Sequence, residues 1–248
     1  KAGDTKKMKI GVKLKSINKI TRQDLYREQK KNVTAKHRIV GLTLETRPDY
    51  VTEKSVWEMR ELGCTRVELG VQHLDDKILK LNKRECLTAD TIRATKILRS
   101  FGFKITYHLM LNLLGSNFEK DYAMFKKIFS DPDFQPDQIK IYPCVVNEYA
   151  ELYKLWRAKK YKPYSTKKLT KLLIKIKRIV PYYVRIIRVI RDIPKESIAA
   201  GNKVTNLRAL LNVKCKCIRC REVGHFSQTQ NSKISARGGS AFGGKSQN

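Results

Sequence analysis

The sequence contains no apolar run that approaches the roughly 20 residues needed to span a bilayer, and no signal-peptide pattern opens it. We therefore expect a cytoplasmic protein without a membrane partner. Acidic residues are scarce, because 23 Asp and Glu stand against 53 Lys and Arg, a formal net charge of +30. This surplus favours a polyanionic partner, although codon bias or a hot habitat would also enrich lysine.

The six cysteines carry no secretory context, which favours free thiols or metal ligands over disulfides. Cys215, Cys217 and Cys220 follow the spacing C-x-C-x-x-C, and His225 lies five residues further on. Three thiolates and an imidazole suit a closed tetrahedral zinc site, so the sequence predicts zinc here. A residue elsewhere or a solvent position remains an alternative to His225 as the fourth ligand.

Four short apolar runs, at 41–46, 66–72, 105–110 and 138–143, each end in polar residues and precede a helical pattern. Repeated strand-then-helix units predict an α/β fold with a parallel barrel or sheet. In such folds the side chains at the carboxyl ends of the strands surround the site. The residues at or beside these ends are Glu45, Arg47, Glu68, Gln72, His108, Lys140 and Tyr142.

Structural roles are the alternative for several of these residues. Glu45 and Arg47 could form an ion pair with each other, and either Glu68 or Gln72 could pack inside the fold. His108 lies in an otherwise apolar run, where a lone histidine is more often a satisfied core residue than a ligand. We therefore assign no catalytic residue from the sequence.

Five segments support a resemblance to a known family. They are Leu-Glu-Thr-Arg-Pro-Asp at 44–49, Glu-Leu-Gly-Val-Gln at 68–72, Lys-Ile-Tyr-Pro at 140–143, Arg-Val-Ile-Arg-Asp-Ile-Pro at 188–194, and Cys-Lys-Cys-Ile-Arg-Cys-Arg-Glu-Val-Gly at 215–224. In this order, from about residue 38 to 224, the chain resembles the radical-SAM domain of the Elongator catalytic subunit, a tRNA wobble-uridine acetyltransferase family. The resemblance implies a partial radical-SAM (βα) barrel with a basic helical and strand extension and a small metal-binding loop.

The resemblance also implies the chemistry. S-adenosylmethionine and a [4Fe–4S] cluster would activate acetyl-CoA, whose methyl carbon adds to C5 of the wobble uridine of tRNA. It places Glu45, Arg47, Glu68, Gln72, Lys140 and Tyr142 at the cofactor pocket and zinc at the cysteine loop. The family's cluster cysteines precede the first strand seen here, and its acetyltransferase domain follows the matched region. We therefore expect this chain alone to be inactive.

A basic region is expected to contact tRNA. The helical pattern at 166–179 exposes lysines on one face, and the run at 183–190 adds arginines. Clustered cations suit a groove that follows phosphates, although such a stripe is often only a solvated face. The predicted tRNA-binding residues are Lys167, Lys168, Lys171, Lys175, Arg185, Arg188 and Arg191.

The sequence predicts four regions. They are a basic, partly disordered lead-in (1–37), the partial barrel with its extension (38–200), a helix with the cysteine loop (201–225) and a disordered tail (226–248). The loops at 111–116 and 149–150 depart from the family pattern. Two alternatives to an enzyme portion therefore stay open, a non-catalytic tRNA-binding remnant and a structural subunit with an exposed apolar strand edge. Other Elongator-type subunits or a second copy of the chain are further expected partners.

Overall fold

The computed structural model describes residues 20–191, 193–204, 207–211 and 213–222. The chain divides into two compact units, Lys1–Gly41 and Leu42–Asn248. In the first unit the described part holds helix α1, Arg22–Thr34, which begins with a capping box between Thr21 and Asp24. Residues 1–19 of the predicted lead-in and the whole predicted tail lie outside the described residues.

The second unit is built on one parallel five-stranded sheet in the order β1-β2-β3-β4-β5. Its strands are β1 Leu42–Thr46, β2 Cys64–Gln72, β3 Lys104–Leu111, β4 Gln138–Pro143 and β5 Arg185–Arg188. Its helices are α2 Glu53–Glu61, α3 Asp76–Leu81, α4 Thr88–Ser100, α5 Phe118–Ser130, α6 Glu151–Arg157 and α7 Thr166–Ile179. Short 3₁₀ helices span Pro48–Tyr50, Lys195–Ser197, Leu207–Leu210 and Ile218–Arg221.

The α/β fold is confirmed, and the strand–helix alternation extends further than the sequence analysis predicted. The region after β4 was expected to be an extension outside the repeated units. Instead β5 pairs in parallel with β4, with Gln138 opposite Arg185 and Ile139 opposite Ile186. Helix α7 is therefore a crossover helix of the same repeat, and its bounds match the predicted 166–179.

The two faces of the sheet have opposite polarity. One face packs into the apolar core with buried side chains of α2, α4, α5 and α7, and its strand members include Val67, Leu69, Ile105, Tyr107, Leu109, Ile139 and Ile141. The alternate positions, among them Arg66, Glu68, Thr106, His108 and Lys140, point to the other face because side chains alternate along a strand. This arrangement is an open, partial (βα) barrel with a polar inner face.

The region 201–225 was predicted to contain a helix, and its described part contains two 3₁₀ helices that lie along the outer edge of β5. Arg208 Nη1 donates to Ile186 O at 3.0 Å, Arg219 Nη1 to Ile187 O at 3.4 Å, and Ile218 N to Val184 O at 3.0 Å. These donors occupy backbone carbonyls that an edge strand would otherwise expose. None of the helices in the described part combines the length and apolar character needed to cross a bilayer.

A fully buried carboxylate ties the loops at the carboxyl edge of the sheet together. Asp121, on α5, accepts hydrogen bonds from Asn112 N at 2.8 Å, from the Tyr164 hydroxyl at 2.8 Å and from Ser116 Oγ. Burial and the Asp121 charge raise the pKa of the Tyr164 hydroxyl. The loop after β3 is thereby fixed to the segment that precedes α7.

We expect Asp121→Ala to lower the free energy of unfolding by about 3 kcal/mol, because buried donors lose their acceptor. Urea unfolding followed by circular dichroism measures this change. Asp133→Ala, at an exposed position, is the control and should change stability by less than about 0.5 kcal/mol. Equal stability of the two variants would contradict the role given to Asp121.

Candidate active site at the carboxyl edge of the sheet

A buried carboxylate, Glu68, is the common acceptor at the centre of the polar face. His108 Nε2 lies 2.5 Å from Glu68 Oε2, and Lys140 Nζ donates to the same oxygen. Glu68 is on β2, His108 on β3 and Lys140 on β4, so three neighbouring strands contribute one group each. The residues Glu68 and His108 are 7% and 6% exposed, so their contact is shielded from bulk water.

Glu45 of β1 completes this cluster on its open side. Its Oε1 lies 3.3 Å from His108 Nδ1, and its side chain is 62% exposed. Glu45, Glu68 and His108 bring potential metal-ligand atoms within 4.8 Å of one another. Because Lys140 already neutralises Glu68, the cluster is better described as an ion pair with a histidine between two carboxylates than as a cation site.

The contacts of Glu68 also decide its charge. Burial raises the pKa of Glu68, but the hydrogen bonds from Lys140 and His108 and their positive charges outweigh burial and leave the pKa below its usual range. Burial raises the pKa of the neighbouring Tyr142 hydroxyl, against the opposing effect of Lys140 and Arg188. At neutral pH the site therefore presents an ionised Glu68 beside a neutral Tyr142.

An open cavity of about 680 Å³ adjoins the cluster. Its size is in the range of small-molecule sites. The lining residues come from the strands β1–β5, from the loops that follow them and from the turn after α3: Glu45, Gln72, Asn82, Arg84, His108, Met110, Leu113, Lys140, Tyr142, Pro143, Cys144, Val145, Asn147, Arg188, Arg191 and Ile193.

Most of the predicted cofactor residues meet at this cavity. Four of the six, Glu45, Gln72, Lys140 and Tyr142, line it, and Glu68 contacts two lining residues from behind. Arg47 is outside the lining. It pairs with Asp49 at 2.5 Å and lies 3.8 Å from Glu85, so its acidic neighbours are these two residues rather than Glu45, the alternative partner considered from the sequence.

His108 is the residue that sequence reasoning discounted. It is buried, as a core histidine would be, yet its two ring nitrogens face Glu68 and Glu45, and its ring packs edge-on against Tyr142 with centroids 5.6 Å apart. Its place opposite Lys140 in the parallel register is what brings it to the site. Asn82 and Arg84 were missed because they follow α3 rather than the end of a strand.

The predicted basic residues divide between two ends of the sheet. Arg188 and Arg191 line the cavity, whereas Arg185 begins β5 at the opposite end, where it pairs with Glu222. The structure therefore does not bring Arg185 together with Arg188. The four predicted lysines of α7 are exposed, whereas its fifth, Lys177, is buried. Lys168 lies over the ring of Tyr164, and Lys175 lies over the rings of Phe118 and Tyr122.

The three cysteines of the C-x-C-x-x-C segment converge. The sulfur atoms of Cys215, Cys217 and Cys220 all lie within 4.8 Å of one another. Hydrogen bonds from the other two thiols lower the pKa of Cys217 strongly, and the same contacts raise the pKa of Cys215. This geometry fits three ligands of one tetrahedral metal site. His225 lies outside the described residues.

The protein is an open parallel (βα) barrel with a polar cluster and a cavity at its carboxyl edge. Two family models match this fold. A model described as "Radical SAM superfamily" matches residues 13–128, and one described as "Radical_SAM C-terminal domain" matches residues 136–218.

Individual similar proteins define the family more closely than the family models do. The chain is 48% identical over 219 residues to a tRNA uridine(34) acetyltransferase of Methanocaldococcus infernus, covering 86% of this chain and 41% of the relative. It is 38% identical over 192 residues to Elongator complex protein 3 of Saccharomyces cerevisiae, covering 75% and 34%. The solved structure of the M. infernus Elp3 with an N-terminal deletion superposes with a TM-score of 0.80 at 47% identity, covering 83% of this chain and 50% of that one.

The chain belongs to the family of Elongator-type radical-SAM catalytic subunits. It spans less than half the length of the curated relatives described above. The family implies S-adenosylmethionine and a [4Fe–4S] cluster as cofactors.

The lowered pKa of Glu68 predicts a pH-dependent contribution to stability. Because the folded pKa is below the unfolded one, the stabilisation is present above the unfolded pKa and is lost as the pH falls through the folded pKa. We expect Glu68→Gln to lower the free energy of unfolding by about 2 kcal/mol at pH 7, with the deficit shrinking at acid pH. Urea unfolding from pH 7 to pH 3 measures both.

Glu119→Gln, an exposed glutamate at the start of α5, is the matched control for this experiment. Its free energy of unfolding at pH 7, and the change of that free energy with pH, should stay close to those of the unaltered chain. A deficit of Glu68→Gln that stays constant from pH 7 to pH 3 would contradict the charge assigned to Glu68.

Proposed function

We propose that this chain is the radical-SAM portion of a tRNA-modifying enzyme that adds an acetyl-derived carbon to C5 of the wobble uridine. The supporting observation is the cavity at the carboxyl edge of the sheet, with the Glu45–His108–Glu68–Lys140 cluster beside it. The name of one group of relatives, tRNA uridine(34) acetyltransferase, supports this substrate class. Acetyl-CoA as a substrate, a cytoplasmic location and other subunits or a second copy as partners belong to the same proposal.

The lining fits S-adenosylmethionine in its donor set. That cofactor presents an ammonium, a carboxylate and a ribose, and the cavity offers a carboxylate in Glu45, cations in Lys140 and Arg191, and an amide in Gln72. When bound with its cluster, the cofactor supplies radical initiation for the reaction. Glu45, Gln72, Lys140 and Tyr142 would hold it, with Glu68 fixing Lys140 and His108 from behind.

The described residues do not themselves offer a site for the cluster at this cavity. Among the residues that the structure describes, Cys144 is the one cysteine in the lining, and burial raises the pKa of its thiol. A cluster of this kind takes several thiolates. We therefore assign no cluster ligand within the described chain.

The residues of the chain have two tasks in this proposal. Lys140 keeps Glu68 ionised, and the carboxylates of Glu68 and Glu45 fix the orientation of the His108 ring beside the cavity. The neutral Tyr142, edge-on to His108, closes one side of this contact. The cluster is thus set to orient polar groups of a bound cofactor and to keep bulk water from its inner side.

A basic surface supports tRNA as the substrate. The exposed lysines of α7 and the cavity residues Arg188 and Arg191 would contact phosphates, whereas Arg185 is turned to the opposite end of the sheet. The net charge of +30 agrees with a polyanionic partner.

We expect tRNA affinity of the chain to fall steeply with salt, and the double variant Lys167→Gln/Lys171→Gln to reduce the slope of log affinity against log salt. The reduction should be about 0.9 for each phosphate that the variant no longer neutralises. Fluorescence anisotropy with labelled tRNA measures the slope. The double variant Lys54→Gln/Lys96→Gln, exposed on α2 and α4, removes the same charge elsewhere and should have a smaller effect.

Binding measurements on the same chain distinguish an enzyme portion from a non-catalytic tRNA-binding protein. Binding of both tRNA and S-adenosylmethionine supports an enzyme portion, and tRNA binding without cofactor binding favours a non-catalytic remnant. Absence of tRNA binding at low salt would contradict the proposal.

We also propose that the cysteine loop binds zinc through Cys215, Cys217 and Cys220, with His225 as the fourth ligand. The convergence of the three sulfur atoms supports it. We expect elemental analysis of the purified chain to find about one zinc per chain, and Cys217→Ser to lose most of it. Cys144→Ser, remote in sequence and at the cavity, is the control and should keep the zinc.

A further inference from the structure

Tyr149 is the most exposed large aromatic or aliphatic side chain in the part of the chain that the structure describes, at 97%. It lies in the loop between β4 and α6, at the carboxyl edge of the sheet. Single exposed apolar side chains are common on protein surfaces, so exposure by itself assigns no role. The position of this ring, between the cavity and the lysines of α7, is what distinguishes it.

A hydrogen-bonded turn holds the backbone at Tyr149. Asn147 O accepts from Ala150 N at 3.0 Å, and Asn147 Oδ1 accepts from Tyr149 N at 2.9 Å. The first contact closes a β-turn and the second an Asx-turn, and asparagine favours both at this position. Val146 anchors the turn, because it is fully buried and its N donates to Ala200 O at 2.8 Å. The turn therefore presents Tyr149 to solvent on a fixed backbone.

The turn borders the cavity, because Asn147 is itself a lining residue. Just after the turn, Glu151 at the start of α6 pairs with Lys83 at 2.5 Å. Lys83 belongs to the turn after α3, and its neighbour Asn82 also lines the cavity. Tyr149 thus stands between two loops that form the mouth of the cavity.

The same turn adjoins the start of helix α7. Val146 pairs with Ala200. Two residues later, Asn202 Oδ1 accepts from Thr166 Oγ1 at 3.2 Å. Thr166 is the first residue of α7, whose exposed lysines would contact phosphates in the proposed function. An RNA strand that contacts α7 and enters the cavity would therefore pass the turn that carries Tyr149.

The surroundings of the ring favour a base over a phosphate. Glu148, directly before Tyr149, is exposed, so a phosphate at this point would meet a like charge. A nucleobase is uncharged and has two flat faces, and unpaired bases of RNA are commonly bound by stacking on aromatic side chains. The loop departs from the family pattern at 149–150, so the ring is a feature of this chain rather than of that pattern.

We propose that Tyr149 stacks on an unpaired base of the RNA loop, beside the nucleotide that enters the cavity. This inference rests on the proposed function and adds to it a contact outside the cavity. The lysines of α7 would follow the phosphates of the strand, and Tyr149 would hold one neighbouring base at the mouth.

The test uses the whole chain and a labelled RNA hairpin with a uridine-containing loop. We expect Tyr149→Ala to weaken hairpin binding about tenfold, because the stacking of one base is lost. Tyr149→Phe should bind as the unaltered chain does, because it keeps the ring. The slope of log affinity against log salt should be unchanged in both variants, since the tyrosine neutralises no phosphate. Fluorescence anisotropy measures the affinity and the slope.

Tyr182→Ala is the matched control for the loss of an exposed ring. Tyr182 is 58% exposed and precedes β5 at the opposite end of the sheet. Its backbone carbonyl, which accepts from Arg221 Nη2 at 2.6 Å, is kept in the variant. The control should change hairpin affinity less than about twofold. A thermal melt of each variant verifies that it is folded.

A second arm alters the RNA instead of the protein. Hairpins carrying a single abasic nucleotide at each loop position are bound by the unaltered chain and by Tyr149→Ala. We expect one abasic position to weaken binding to the unaltered chain about tenfold and to have no further effect on Tyr149→Ala. That position identifies the stacked base.

Five results would overturn the assignment. They are equal binding by Tyr149→Ala and the unaltered chain, an equal loss in Tyr149→Phe, an equal loss in Tyr182→Ala, a reduced salt slope in Tyr149→Ala, and additive losses at every abasic position. Failure of the unaltered chain to bind the hairpin at low salt would instead overturn the proposed function, and this inference with it.

Discussion

The alternation of side chains along parallel strands is the constraint on which the rest of this structure depends. Each strand turns every second residue toward the helices and the others toward the polar inner face. Because the strands are in register, polar residues gather in layers. A lower layer joins Arg66 to Thr43 at 2.9 Å and to Gln138 at 2.9 Å, and Thr106 to Gln138 at 3.0 Å. Directly above it lie Glu45, Glu68, His108 and Lys140.

This layering explains how an ionised carboxylate is tolerated inside the fold. Glu68 is buried, and such a group is costly unless it is paired and hydrogen-bonded. The next two strands of the sheet supply its partners, His108 from β3 and Lys140 from β4. The polar groups of the layer below form hydrogen bonds with one another. The polar groups at this edge are thereby held by hydrogen bonds within the fold, and groups ordered in advance lower the entropy that binding must overcome.

The far end of the sheet is organised by the cysteine loop. Ile218 N donates to Val184 O, and Arg185 pairs with Glu222, so the loop is attached to the start of β5. The end of the same strand carries Arg188 to the cavity. Order in the cysteine loop therefore supports the strand that contributes a cavity cation, although the loop lies at the opposite end.

Local patterns predicted the elements well where apolar periodicity and caps agreed. Helix α7 and strand β4 have the predicted bounds. Helix α5 shows what local patterns leave out. It buries Asp121, whose partners Asn112, Ser116 and Tyr164 lie in other segments.

The sequence by itself determined which residues stand at strand ends, and four of the six predicted cofactor residues therefore line the cavity. Only the tertiary structure decided that Glu68 would be shared by His108 and Lys140, which lie 40 and 72 positions away. It also decided that Arg47 would turn to Asp49 and that Arg84 would reach the cavity from the turn after α3. Local periodicity reports the face on which a side chain lies, whereas its neighbours depend on strand register and loop packing across distant segments.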